Sequence, residues 1–119
     1  MRAIAAEKLF ENKIKKYLKD NGHWYLKYWA GAEFTKSGIP DILACVNGYF
    51  VAIEVKAPTG KPSELQKYNI CKIIADGGFG VVVRPDQWNE LKRMLESLEE
   101  ERLGDAECSL AKINSLWEI

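Results

Sequence analysis

The chain has 119 residues and a formal net charge of zero, with 47% hydrophobic and 29% charged side chains. That length suits a single domain, 1–119, which buries roughly two-thirds of its surface on folding, so it needs neither a disulfide framework nor a structural metal. No apolar run reaches membrane-spanning length, and one histidine, His23, excludes a paired-histidine zinc site.

Met1 to Lys8 turns charged early and holds no signal-peptide core, so the expected setting is cytoplasmic. Cys45, Cys71 and Cys108 are odd in number and far apart, which predicts buried apolar positions in a reducing compartment. The zero charge hides an asymmetry. Residues 1–75 carry 12 Lys/Arg against 7 Asp/Glu, and residues 76–119 carry 5 against 10. A basic front part suits a polyanionic partner, and solvated helix faces explain it equally well.

Residues 3–19 read as an amphipathic helix, with Phe10, Ile14, Tyr17 and Leu18 on one stripe and Gly22 as its stop. Residues 23–29 are aromatic and strand-prone, and 30–38 form a loop. The apolar runs 41–46 and 49–56 are joined by Asn47-Gly48, which predicts a hairpin through a type I′ turn. Residues 57–62 are a turn. Ser63 caps a helix to about Ala75, with Gln66 in capping-box position and Gly77-Gly78 beyond its end. Residues 79–84 read as a strand. Asp86 is the expected cap of a helix that places Trp88, Leu91, Leu95 and Leu98 on one face, with Glu99 to Glu101 as its polar end. In the tail, 104–119, Leu110, Ile113, Leu116 and Trp117 recur at helical spacing as packing or oligomerisation material. The expected fold class is α/β (α+β): an αβββαβ core over about residues 3–98, built on a small mixed sheet flanked by helices.

Three charged residues stand in apolar strands, where an unpartnered charge is costly to bury. A two-residue turn at Asn47-Gly48 pairs Val46 with Tyr49 and sets Asp41 opposite Glu54, with Cβ atoms about 4.5–5.5 Å apart. Lys56 shares the face of Glu54. Two carboxylates that close repel unless a cation lies between them. Mg²⁺ or Mn²⁺ suits such oxygen ligands, lowers the pKa of a bound water and polarises a phosphoryl oxygen. Lys56 could then orient that water or stabilise developing phosphate charge. The pattern points to metal-assisted hydrolysis of a phosphodiester. The same register predicts a hairpin covered on both faces, with Asp41, Leu43, Cys45, Phe50, Ala52, Glu54 and Lys56 on one and the largely aliphatic set from Ile42 to Val55 on the other.

The ordered set Gly38-Ile39-Pro40-Asp41, Glu54-Val55-Lys56 and Ser63-Glu64-Leu65-Gln66 resembles the PD-(D/E)xK nuclease superfamily, and within it the VRR-NUC branch. The resemblance covers roughly residues 7–98. It implies a restriction-endonuclease-like fold and a Mg²⁺- or Mn²⁺-dependent DNA nuclease that acts as a homodimer on branched DNA, similar to Holliday-junction resolvases. By that resemblance Asp41 and Glu54 bind metal, the Val55 carbonyl is a further ligand, Lys56 assists the nucleophile and Gln66 joins the catalytic set. The family also places a glutamate on the first helix. Glu11 fits best, because Ile14 and Leu18 follow at +3 and +7, and Glu7 is the fallback one turn earlier.

Plainer roles stand beside these. Gln66 can serve as a cap alone or do both jobs, His23 as a structural residue, and Lys67 as a solvated charge. Lys13, Lys15, Lys16 and Lys19 form a solvated face, or contact phosphate. Lys13, Lys16, Lys36, Lys61 and Lys67 are the expected nucleic-acid contacts. Trp24, Tyr25, Tyr28 and Trp29 are expected in the core and dimer surface ahead of base stacking. A different class, a non-catalytic nucleic-acid-binding module on the same fold, is the alternative; the intact Asp41, Glu54 and Lys56 favour the enzyme.

Overall fold

The computed structural model describes residues 2–29 and 36–119, so most of the expected loop at 30–38 lies outside the described residues. The order is α1 (Arg2–Asp20), β1 (Trp24–Lys27), β2 (Ile42–Val46), β3 (Tyr49–Val55), α2 (Glu64–Ala75), β4 (Phe79–Val83), α3 (Trp88–Glu99) and α4 (Leu103–Asn114). The four strands form one mixed sheet in the order β1-β2-β3-β4, antiparallel up to β3 and parallel between β3 and β4. This is the mixed α+β architecture expected of a restriction-endonuclease-like fold.

The hairpin forms in the predicted register, with Val46 opposite Tyr49, Ala44 opposite Val51 and Ile42 opposite Ile53. Asn47 and Gly48 have φ of 51° and 86°, the two left-handed residues that a type I′ turn requires. One slipped residue would have turned every side chain to the other face.

The main core lies on the aliphatic face of the sheet. Phe10, Ile14 and Leu18 of α1 and Leu91, Met94, Leu95 and Leu98 of α3 close over Ile42, Ile53 and Val81. Ala106 and Ile113 of α4 belong to this same cluster, so the tail completes the core that was expected to end near residue 98. On the opposite face α2 covers only the β3–β4 side, where Ile70, Val82 and Trp117 meet.

Three expectations are overturned, the first of them by that partial cover. The hairpin is not buried on both faces: Phe50 is 47% exposed and Leu43 half-buried. The three cysteines are exposed. Cys45 stands on the open sheet face, between Trp24 and Phe50 in register, while Cys71 and Cys108 lie on the solvent sides of α2 and α4. Trp24 and Trp29, expected in the core and dimer surface, are 62% and 72% exposed, which removes them from the core of this chain. Tyr25 does pack against the core, and the Tyr28 hydroxyl donates to the Lys36 carbonyl at 2.8 Å.

Asp86 is not a helix cap. It sits inside a 3-10 turn over Pro85–Gln87, where the Gln87 side-chain oxygen accepts from the Arg84 N–H at 3.0 Å, and α3 begins only at Trp88. Glu99 is no free polar end either. Its carboxylate accepts from the Tyr17 hydroxyl at 2.9 and 3.1 Å and pairs with His23 Nε2 at 2.6 Å, tying the end of α3 to the α1–β1 corner. His23 thus has a structural position.

Candidate active site

The predicted acids meet where β2 begins and β3 ends. The Gly38–Asp41 segment is fixed from the side by α2: Asn69 donates to the Gly38 carbonyl at 2.8 Å. Gly38 has φ +76°, and a Cβ there would stand 2.5 Å from Leu65 Cγ, so conformation and close approach both call for glycine. The Asp41 carbonyl then accepts from the Tyr28 N–H at 2.8 Å, which aligns the residue with the sheet edge.

Asp41 Oδ2 accepts from the Val55 N–H at 2.8 Å, and its Oδ1 lies 3.5 Å from Lys27 Nζ. This side-chain contact joins the start of β2 to the end of β3, just beyond Ile42 and Ile53, the last registered pair of the ladder. Glu54 is only 2% exposed. Its Oε2 pairs with Lys56 Nζ at 3.2 Å, while Oε1 is buried with no hydrogen-bond partner. Burial first, then the charge of Asp41, push the Glu54 carboxyl up to about 8 against the pull of Lys56. A buried carboxylate oxygen without a partner, next to a second carboxylate, is an environment that a hard cation would satisfy.

Glu11 is buried and already surrounded by lysines. Its Oε1 takes Lys27 at 2.6 Å, and its Oε2 takes Lys8 and Lys15 at 3.2 Å each. Burial works to raise its pKa, but the bond to Lys27 and the other lysines overcome it and hold the carboxyl below the ordinary value. Glu7 makes no ion pair among the described residues. It lines a small recess with Ile4, Lys8 and Glu11, and its carboxyl is raised by burial and then by Asp41. Among the described residues, no three His, Cys, Asp or Glu side chains gather closely enough to hold an ion. Asp41 and Glu54 thus lie together at the strand ends, Glu11 is paired with Lys27, and Glu7 stands one turn earlier within the field of Asp41.

Lys27 is a site residue that sequence reading missed. It bridges Glu11 and Asp41, and its ammonium is held charged: burial works against the charge, and the bond to Glu11 and the field of Asp41 outweigh it. The signal was present in the alternation of β1, which puts Lys27 on the covered face beside Tyr25, where a charge calls for a partner.

The remaining predicted residues divide. Gln66 closes the capping box: its side-chain oxygen accepts from the Ser63 N–H at 2.8 Å, and Ser63 Oγ accepts from the Gln66 N–H at 3.1 Å. Lys61 and Lys67 line one cleft together. Lys13 lies over the Trp88 ring and Lys16 pairs with Asp20 at 2.8 Å, both along α1 and apart from that cleft. Lys36 is exposed in the segment before Asp41. No helix among the described residues is long and apolar enough to cross a membrane.

No curated protein and no solved structure matches the chain. A family model does, that of the archaeal Holliday junction resolvases (Hjc), over residues 5–100, a span holding every acid and lysine of the strand-end cluster. The finer VRR-NUC likeness is not what this match carries. The chain therefore belongs to the archaeal Holliday junction resolvase family.

Proposed function

We propose that the protein is a metal-dependent endonuclease that hydrolyses phosphodiester bonds in four-way and related branched DNA. The observation that carries this reading is the Asp41–Glu54 pair at the strand ends, with its orphaned buried Glu54 oxygen beside Lys56. The family match supplies the substrate class. The VRR-NUC-like order of Pro40-Asp41, Glu54-x-Lys56 and Gln66 is a further support.

Asp41 and Glu54 would hold the ion, with the Val55 carbonyl as a third oxygen. A bound Mg²⁺ or Mn²⁺ supplies Lewis acidity to the phosphoryl oxygen and acidity to a bound water. The chain's own groups do the rest. The Val55 N–H fixes the Asp41 carboxylate by one of its oxygens. Lys27, itself oriented by Glu11, steadies the other. Lys56 sets its ammonium beside Glu54, where it can stabilise the charge that grows on the phosphate in the transition state. Gln66 contributes by fixing the first turn of α2.

A four-way junction needs two matched cuts, and one chain offers one such cluster. We therefore propose a homodimer. Trp24, Leu26 and Phe50, 62%, 49% and 47% exposed, share the open sheet face with Leu43 and Cys45. An apolar face of this kind is unusual on a monomer and suits a two-fold contact with a second copy. The tail, the other expected dimer surface, spends Ile113 and Trp117 inside its own fold.

The test is incubation with duplex, single-stranded, flap and four-way-junction DNA in Mg²⁺, Mn²⁺ or EDTA. The expected result is cleavage of the junction ahead of the duplex, abolished by EDTA. Cleavage that survives EDTA overturns the metal assignment. Junction binding without cleavage in either metal reassigns the protein as a non-catalytic binding module.

A further inference from the structure

A second basic site adjoins the proposed centre. A cleft of about 390 Å³ opens between the 57–62 turn, the first turn of α2, the end of β4 and the C-terminal 3-10 turn (Ser115–Trp117). Lys61, Lys67 and Arg84 line it, with Trp117 and Leu116 as its apolar wall and Glu64 and Glu118 also present.

Arg84 is built into this wall. Its Nε and Nη2 donate to the Gly60 carbonyl at 3.1 and 2.9 Å, and its guanidinium lies 4.7 Å from the centre of the Trp117 ring. Trp117 is held in turn, since its Nε1 donates to the Val82 carbonyl at 2.8 Å. Such a planar cation, fixed on two sides, keeps its remaining N–H groups for an external acceptor. Among the described residues, Lys61, Lys67 and Arg84 form no ion pair, although two glutamates line the same cleft. Elsewhere on the surface, Lys16 and Lys72 pair with Asp20 and Asp76 one helical turn on. The three cations of the cleft stay free of the acids nearest to them.

The position of the cleft identifies its ligand. Val55 pairs with Val83 in the parallel register, and the Lys56 N–H donates to the Val83 carbonyl at 2.8 Å. Lys56 and Arg84 therefore follow on neighbouring strands and share a sheet face. The turn after Lys56 doubles back so that a Cβ at Gly60 would lie 3.4 Å from Lys56 Cβ. Neighbouring strands are about 4.8 Å apart, and successive nucleotides of a strand rise about 3.4 Å along the helix axis. A strand whose scissile phosphate sits at Lys56 would thus reach the cleft within a few nucleotides.

We propose that this cleft binds a backbone phosphate of the cleaved DNA strand a few nucleotides from the scissile bond. Arg84 is its fixed donor, and Lys61 and Lys67 are its flanking charges. The site draws on Trp117, beyond the stretch that the family model covers. The proposal rests on the nuclease reading.

The experiment measures binding of a fluorescent four-way junction by the full chain in EDTA, across a series of salt concentrations, with cleavage by the unaltered chain in Mg²⁺ run in parallel. Lys61→Gln with Lys67→Gln removes two surface charges and leaves the Arg84 packing intact. The pair Lys92→Gln with Lys112→Gln, exposed on α3 and α4, is the control. The cleft pair is expected to raise Kd at 0.1 M salt about ten-fold or more and to flatten the log–log salt slope by roughly 1.5, at about 0.7–0.9 for the one phosphate contact weakened in each of the two clefts of a homodimer. Arg84→Gln, checked for native circular dichroism, should flatten it to a similar extent, since it serves the same phosphate. If the unaltered chain binds and cuts the junction while the cleft pair behaves like the control, the subsite is wrong and the nuclease reading stands. If the unaltered chain neither binds nor cuts junctions, both fall.

Discussion

At Glu54 two demands meet: a carboxylate buried to 2% exposure, and a neighbour, Asp41, of the same charge. In the metal-free chain the native state holds a proton on Glu54 up to about pH 8, whereas the unfolded chain releases it near 4.5. The unfolded state therefore binds fewer protons between those values, and stability falls as pH rises through that window. At roughly 1.4 kcal/mol per unit, the loss is bounded by about 5 kcal/mol. Urea unfolding in EDTA should show a lower midpoint at pH 8 than at pH 5, and Glu54→Gln should flatten that difference. A variant with the same pH dependence as the parent would place the titrating group elsewhere. Asp41 and Glu54 were legible in the sequence because charges in apolar strands stand out and a hairpin register can be counted. Lys27 was only half legible: the alternation of β1 sets it on the covered face, but its partner Glu11 comes from another element. Only tertiary packing brings the two within 2.6 Å.

At the scale of elements, β4 shows how the last helix earns its place. β4 is an edge strand, and unpaired edge backbone invites association. Asn114 closes part of that edge with its side chain, accepting from the Val82 N–H at 3.2 Å and donating to the Gly80 carbonyl at 2.8 Å, and Trp117 takes the Val82 carbonyl. Asn114 is 1% exposed, so no water replaces it. Asn114→Leu would leave two buried backbone groups unsatisfied, and a loss of about 2–4 kcal/mol in chemical denaturation is expected. A loss below about 0.5 kcal/mol would show that the edge finds other partners. The helical spacing of the tail could be read from Ile113 and Trp117. So could its packing role; its closing of the β4 edge could not, since an asparagine bonded to a strand edge leaves no periodic trace. The Asp86 cap failed for a related reason: Pro85 opens a 3-10 turn, and Gln87 satisfies the Arg84 N–H instead.

Over the whole molecule, the two sides of the sheet differ. One is closed by α1 and α3; the other is closed by α2 only on its β3–β4 side. The sequence of the hairpin alternates apolar residues on both faces, so pattern alone could not reveal that Cys45 and Phe50 stay exposed. The missing cover fits a second copy. Sedimentation at tens of micromolar should find a dimer, and Trp24→Asp with Phe50→Asp should yield a folded monomer. A monomeric parent chain, with or without junction DNA, would refute the pairing. Everything about activity, however, hangs on the Asp41–Glu54 pair. The most direct measurement is single-turnover cleavage of a four-way junction in Mg²⁺ by the parent and by Asp41→Asn, with junction affinity measured alongside. Asparagine can still accept the Val55 N–H, so the fold and the binding should survive while the cleavage rate falls by at least a hundred-fold, about 2.7 kcal/mol of transition-state stabilisation. Cleavage by Asp41→Asn at the parent rate would contradict the account.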